Sequence, residues 1–438
     1  MKITGRAGFS FDASFTPPAD KSISHRSIFF SSLSNSTVKI SNFLFSEDCL
    51  TTVKAFQSLG VNIDLIDNKT VEVSGVGLNG LKAPQAELYL GNSGTTTRLI
   101  IGLLSAQDFE TVLKGDDSLS RRPMARVIQP LKLMGADIRG EDEDNLLPVR
   151  IRGVKLKGIE YKLPVASAQV KSALLIAGMY AEGETVIYES FKSRDHTERM
   201  LKAFKADINV EDLKIQISSV KQITAQDILI PGDISSAAFF IALCLLLPDS
   251  RLVIKNVGLN PTRLGFIDVL KRMGAKIEVV YKVKEEDSAI YESFGDIIVA
   301  GSCLKGVDIK EKEIPLMIDE LPVLFLIASL AEGETHIEGV SELRVKETDR
   351  INSMLVNLKN MGAKMDIDAD SIKIKGVKKL KPSSLRTFSD HRTAMVSVIA
   401  ALVSKGEFSI DDLDCIKISY PDFLLDIQKI LGSIKFEN

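Results

Sequence analysis

Several short phrases carry side chains able to do chemistry. Asp20-Lys21-Ser22-Ile23-Ser24-His25-Arg26 places Lys21, Ser22 and Arg26 at the start of an expected helix. Cations there oppose the helix dipole, and a bound anion would relieve that penalty. A solvated basic turn paired with Asp20 is the plainer alternative. Leu90-Gly91-Asn92-Ser93-Gly94-Thr95-Thr96-Thr97-Arg98 opens an apolar helix, and its glycines let backbone amides approach an oxyanion. It is neither a Walker A loop, since no Gly-Lys-Ser/Thr closes it, nor a dinucleotide fingerprint. Arg121-Arg122-Pro123-Met124-Ala125-Arg126 sets two guanidinium forks before a helix-starting proline. Such forks suit carboxylate and phosphate, and also ordinary surface ion pairs.

Arg344-Val345-Lys346-Glu347-Thr348-Asp349-Arg350 is the richest phrase. If it is helical, Lys346 and Arg350 share a face, with Glu347 and Asp349 between them. A solvated helix can carry the same pattern, but Asp319-Glu320 and Asp390-His391-Arg392 fall at matching helix starts of neighbouring repeats. Together Lys21, Arg26, Arg122, Lys346, Arg350 and Arg392, with Asp319, Glu347 and Asp390, suit a substrate bearing more than one phosphate or carboxylate and a step that moves protons. His25, His196, His336 and His391 are the only imidazoles, and none lies at HExxH spacing, so no catalytic zinc is expected. His391 is the imidazole placed to join a site. His336, in a strand-like alternation, reads as structural.

The elements that must position these groups are signalled by a repeat. Leu59-Gly60-Val61-Asn62-Ile63, Met134-Gly135-Ala136-Asp137-Ile138, Met273-Gly274-Ala275-Lys276-Ile277 and Met361-Gly362-Ala363-Lys364-Met365 each follow an amphipathic run. Phe204-Lys205-Ala206-Asp207-Ile208 and Leu431-Gly432-Ser433-Ile434 are weaker copies. The phrase reads as a helix closed by a left-handed residue and followed by a strand. Upstream of the copies lie β-rich runs, and before them apolar helices opened by cap-like residues at Ser93, Ser167, Asp233, Asp319-Glu320 and Ser389-Asp390. Each unit therefore reads strand, buried helix, strand, surface helix, strand, strand. Six units divide into two groups of three, with a break near Ile230-Pro231-Gly232-Asp233. The fold class is α/β, in two domains.

Composition sets the frame. A chain of 438 residues exceeds one core. Its net charge of −3 argues against nucleic acid or an anionic membrane surface as partner. Apolar stretches fall short of the roughly 20 residues that span a bilayer, so a soluble, cytoplasmic protein is expected. Cys49, Cys244, Cys303 and Cys415 lack metal or redox spacing and read as reduced and mostly buried.

Taken in order, these phrases resemble the 5-enolpyruvylshikimate-3-phosphate synthase family along essentially the whole chain. Ser167-Ala168-Gln169-Val170-Lys171-Ser172 and Arg194-Asp195-His196-Thr197-Glu198 look like its divergent second bacterial class. The resemblance implies the enolpyruvyl transferase fold, two domains each of three βαβαββ repeats. The first would be discontinuous, 1–15 with 231–438, the second 16–230, and the active site would lie in the cleft between them. It implies that Lys21, Ser22, Arg26, Ser167, Ala168, Gln169, Arg194, Asp319 and Lys346 hold shikimate 3-phosphate, and that Lys21, Asn92, Gly94, Arg122, Gln169, Arg350 and Arg392 surround phosphoenolpyruvate. Asp319, Glu347, Lys21 and His391 would be catalytic, Asp319 taking the proton of the 5-hydroxyl and Glu347 serving the methylene carbon. No cofactor or metal, a monomeric state and glyphosate sensitivity are the further expectations. The sequence departs from many relatives at Ala168, Glu342 and Ile418, and Lys417 is not taken to replace the lysine missing at 418. The competing readings are a transferase acting on UDP-N-acetylglucosamine, disfavoured because Asp116 to Met124 holds no cysteine, and a non-catalytic scaffold of the same repeats.

Overall fold

The computed structural model describes residues 1–5, 8–284 and 292–432. The chain forms two compact units. One is made of Ala19–Ile230 joined by Glu292, the other of Met1–Pro18, Pro231–Lys284 and the chain from Ser293 onward.

The unit built on Ala19–Ile230 has three four-stranded sheets of one design. Thr37–Ser41, Glu110–Lys114 and Glu184–Tyr188 each take a short parallel neighbour on one side (Ile228–Leu229, Leu88–Tyr89 and Glu160–Lys162). On the other side each is followed by an antiparallel hairpin, Thr70–Ser74 with Asn62–Leu65, Leu146–Arg152 with Asp137–Gly140, and Lys214–Ser218 with Ile208–Glu211. The register puts Val38 opposite Val73 and Ile40 opposite Val71, so one face of the sheet is continuously apolar and buried. In chain order the helices are α1 (Lys21–Ser32), α2 (Glu47–Ser58), α3 (Gly94–Leu104), α4 (Ala125–Leu133), the single turn α5 (Glu141–Asp144), α6 (Ala168–Gly178) and α7 (His196–Ala203). Buried α1, α3 and α6 alternate with more exposed α2, α4 and α7.

The second unit repeats the plan with α8 (Ile234–Leu246), α9 (Gly265–Arg272), α10 (Leu321–Leu330), α11 (Arg350–Asn360), α12 (His391–Val403) and α13 (Phe423–Leu431). Here α8, α10 and α12 are the apolar inner helices, as the sequence pattern predicts. Its first sheet borrows Asp12–Phe15 as a parallel neighbour of Arg251–Gly258, and its third pairs Lys2–Gly5 antiparallel to Gly406–Ile410. That third sheet has three strands among the described residues. The strand expected after Leu431-Gly432 lies at 433–438, outside them.

The repeated phrase has the anticipated backbone. Gly60, Gly135, Gly274 and Gly362 take φ of 88°, 93°, 91° and 86° just past α2, α4, α9 and α11. In the weaker copy Lys205 takes the same left-handed turn at φ 61° without a glycine. Two expectations fail. Pro123 does not open a helix, because α4 begins at Ala125. The stretch from Lys346 to Arg350 is not helical; Ser341–Val345 is a 3-10 turn and α11 begins at Arg350. Asp349 is spent as its cap, accepting from the amides of Ile351 and Asn352 at 3.1 and 3.0 Å.

Candidate active site

The sequence-expected side chains fall into two groups, one in each unit. In the Ala19–Ile230 unit the inner helices present their first turns. Asp20 caps α1, accepting from the amide of Ile23 at 2.9 Å. Lys21 donates to Asp48, in the first turn of α2, at 2.9 Å. Arg26 lies one turn further along α1, is only 3% exposed and has no carboxylate partner among the described residues. Its Nε donates to Thr197 Oγ1 at 2.7 Å, its Nη2 to Ser172 Oγ at 2.9 Å and its Nη1 to the carbonyl of Ser22 at 3.0 Å. Burial brings its pKa down to about 10, partly offset by the carboxylates of Glu198 and Asp20, while half-buried Arg194 adds a like charge. A buried cation held only by neutral acceptors, with a second cation near it, is what an anion site requires.

The glycine loop is built as the sequence suggests. Ser93 caps α3, and Asn92 donates to Asp116 at 2.9 Å. Gly94 sits against the guanidinium groups of Arg122 and Arg98, and a Cβ there would come within 2.7 Å of Arg122 Nη1 and 2.8 Å of Arg98 Nη1. Gln169, on the first turn of α6, accepts from Arg98 at 3.0 Å and donates to Thr95 at 3.1 Å, joining α6 to α3. Ser167 is the cap of α6 and Ala168 its first residue. Lys21, Gly94 and Gln169 therefore sit on the first turns of inner helices, Arg26 one turn into α1, and Arg122 in the loop before α4.

In the other unit, three segments meet at Arg350, whose side chain is 1% exposed. Its Nε donates to Asp390 at 2.9 Å, its Nη1 to Asp319 at 3.1 Å and its Nη2 to Glu347 at 2.5 Å. Despite burial, these three carboxylates raise its pKa further, so it is permanently charged. Asp319 is also approached by Lys346 at 3.9 Å and by Arg392 at 3.7 Å. Arg392 donates to the backbone carbonyl of Asp319 at 2.9 Å. Asp390 caps α12, accepting from the amides of Arg392 and Thr393, and so fixes Arg392 and buried His391 on one turn. Glu320 is the N-cap residue of α10 but makes no capping bond. Its carboxylate turns to Ser235 and lies 3.8 Å from Arg263 and 4.0 Å from Arg392. Chemically the cluster supplies two carboxylates able to move protons, Asp319 and Glu347, pinned beside three cations able to hold an anion.

Sequence reasoning missed Asp48 and Arg263 and gave no role to Glu320, Ser172 and Thr197. Thr197 and Ser172 lay inside phrases already singled out, but an uncharged hydroxyl on a helix gives no signal of its partner. Lys417 pairs with Asp414 at 2.7 Å on an exposed 3-10 turn. Cys49, Cys244 and Cys415 are buried and Cys303 is exposed, all four free. Burial pushes the Cys244 and Cys415 thiols up to about 12. Among the described residues no helix is long and apolar enough to cross a membrane, and no three His, Cys, Asp or Glu side chains gather as metal ligands.

Buried inner helices alternating with outer ones in two units of three repeats are the enolpyruvyl transferase fold. A solved enolpyruvyl transferase, NikO from Streptomyces tendae, shares the fold at a TM-score of 0.79 and 18% identity, covering 99% of this chain and 98% of that one. Residues 7–427 match the family model of EPSP synthase (3-phosphoshikimate 1-carboxyvinyltransferase), and the chain belongs to that family. It is 47% identical over 414 residues to the 3-phosphoshikimate 1-carboxyvinyltransferase of Oceanobacillus iheyensis, covering 94% of this chain and 95% of that one. The Bacillus subtilis protein of the same name is 45% identical, covering 94% and 96%. The solved EPSP synthase of Acinetobacter baumannii superposes with a TM-score of 0.86 at 42% identity, over 100% of this chain and 99% of that one.

Proposed function

We propose that this chain transfers the enolpyruvyl group of phosphoenolpyruvate to the 5-hydroxyl of shikimate 3-phosphate and releases phosphate. The observation that carries this is near-complete coverage, at 47% identity, of a relative named 3-phosphoshikimate 1-carboxyvinyltransferase. In the assigned roles, Arg26 with Lys21, Ser22, Ser167, Ala168, Gln169, Arg194, Asp319 and Lys346 holds shikimate 3-phosphate. Arg122, Arg350 and Arg392, with Lys21, Asn92, Gly94 and Gln169, hold phosphoenolpyruvate. The two groups of residues thus serve one pair of substrates.

In the chemistry, Asp319 takes the 5-hydroxyl proton as the oxygen bonds to C2 of phosphoenolpyruvate, while a proton is delivered to C3 from the side of Glu347. The resulting tetrahedral adduct loses a C3 proton, the C2–O bond to phosphate breaks, and the enol ether and inorganic phosphate result. Lys21 and His391 assist the proton transfers, and the guanidinium groups stabilise the departing phosphate. Both substrates are charged phosphate esters that cross bilayers poorly, which supports a cytoplasmic location. A monomer is the proposed working state, to be read from its mass in solution.

The test is phosphate release from phosphoenolpyruvate by the purified chain. Release should require shikimate 3-phosphate; equal release with UDP-N-acetylglucosamine, or none with either acceptor, overturns the assignment.

A further inference from the structure

The hydroxyl network behind Arg26 has a fixed direction. Ser172 Oγ donates its one proton to the carbonyl of Ala168 at 2.6 Å. The 2.7 Å contact between Ser172 Oγ and Thr197 Oγ1 must then be donated by Thr197. Both hydroxyl oxygens are left with only lone pairs to offer Arg26, whose Nε and Nη2 donate to them. The chain of bonds therefore runs one way, from the guanidinium through Thr197 and Ser172 to the first residue of α6. Its hydroxyl links are buried, since Ser172 and Thr197 are both 0% exposed.

Two features show that this support is suited to a cation kept for a ligand. The acceptors are neutral, so they orient the guanidinium without cancelling its charge, whereas Arg350 is met by three carboxylates. In addition, α7, which carries Thr197, is fastened to α6 by a buried ion pair. Lys171 lies between Glu189 at 3.0 Å and Glu198 at 2.6 Å, with side-chain exposures of 0%, 0% and 4%. Glu198 follows Thr197 and Lys171 precedes Ser172, so the charged pair and the hydroxyl pair are adjacent rungs between the same two helices.

We propose that Thr197, with Ser172, is a positioning residue that aims Arg26 at an anionic group of the acceptor substrate. The proposal rests on the reading of Arg26 as a ligand of shikimate 3-phosphate. Thr197→Val keeps the shape of the side chain but removes both the acceptor for Nε and the donor to Ser172. A lost hydrogen bond to a charged, buried group predicts a KM for shikimate 3-phosphate raised about 10- to 100-fold. The KM for phosphoenolpyruvate at saturating acceptor, and kcat, should stay within about threefold, a loss confined to one substrate's binding. Thr197→Ser should restore the wild-type KM.

Ser172→Ala provides the second arm, should the valine variant fail to fold. It should raise the same KM, and combined with Thr197→Val it should add less than its separate effect, because both act on one fork. Arg26→Lys separates the two levels of the argument. If it leaves the shikimate 3-phosphate KM unchanged, the role of Arg26 in holding that substrate fails. If it raises that KM while Thr197→Val and Ser172→Ala do not, the positioning role fails. A valine variant that lowers kcat alone also overturns the proposal.

Discussion

Arg350 Nη2 donates to Glu347 Oε2 at 2.5 Å, so the cation assigned to phosphoenolpyruvate and the carboxylate assigned to its methylene carbon are held against each other. The contact spans three residues, from a non-helical stretch into the first residue of α11. A substrate carboxylate reaching Arg350 would compete with Glu347 for the same fork.

Glu347→Gln keeps the shape but removes that competing charge. It should lower kcat by about 10²- to 10⁴-fold, the usual range for loss of a proton-transferring group. The KM for phosphoenolpyruvate should not rise. Steady-state kinetics at saturating shikimate 3-phosphate measures both, and a KM that rises in step with the fall in kcat would show that Glu347 only holds the site together.

At Gly94 the constraint is steric. An alanine methyl would lie 2.7 Å from Arg122 Nη1 and 2.8 Å from its Cζ, so the guanidinium must move. Overpacking of this kind costs about 1–3 kcal/mol, or roughly 5- to 150-fold in binding of the anion that Arg122 holds. Gly94→Ala should therefore raise the phosphoenolpyruvate KM. The wild type should be inhibited by glyphosate competitively with phosphoenolpyruvate, and the variant should need more of it. Unchanged values for both ligands would remove Gly94 and Arg122 from the site.

The inner helices were legible because their signals are local. An apolar run such as Ala173-Leu174-Leu175-Ile176-Ala177 behind a capping Ser167 specifies its helix within one turn of chain. The glycines at 60, 135, 274 and 362 marked helix ends for the same reason. Pairing was not legible: Lys21 is adjacent to Asp20, yet Asp20 turns back to cap α1 and Asp48, 27 residues on, takes the lysine. Nor was the backbone at Phe388 and Ser389, whose φ of 54° and 56° precede the cap of α12 with no glycine to announce them. Such choices depend on what packs around a side chain, and a linear pattern does not carry that information.

Lys171 is a test of the fold rather than of catalysis. Its side chain is fully buried between Glu189 and Glu198, and Ser193 also donates to Glu189. Despite burial, the two carboxylates raise its pKa, so the ammonium is retained. Lys171→Met would leave two carboxylates buried without their counter-ion, which costs about 3–5 kcal/mol. Chemical denaturation should show the loss. A variant as stable as the wild type would mean that water already reaches this pair.

His25 gives the pH dependence. It is 0% exposed and its Nδ1 is 2.7 Å from Thr52 Oγ1, which continues to Thr96 and Ser93 at 2.6 and 2.7 Å. Burial, then the charges of Lys21 and Arg26, hold its pKa well below the ordinary value of 6.5. The folded chain therefore keeps His25 neutral at pH values where the unfolded chain takes up a proton. With more protons bound in the unfolded state, stability rises with pH up to about 6.5 and is lost progressively as pH falls below it toward the folded pKa. His25→Asn, whose amide can still meet Thr52, should lessen the fall in thermal midpoint between about pH 7 and pH 5.5 relative to wild type. Carboxylates elsewhere titrate mostly at lower pH and remain in both proteins, so the difference between the two curves isolates the imidazole. Parallel curves would mean that His25 takes up its proton as readily in the fold as in the unfolded chain.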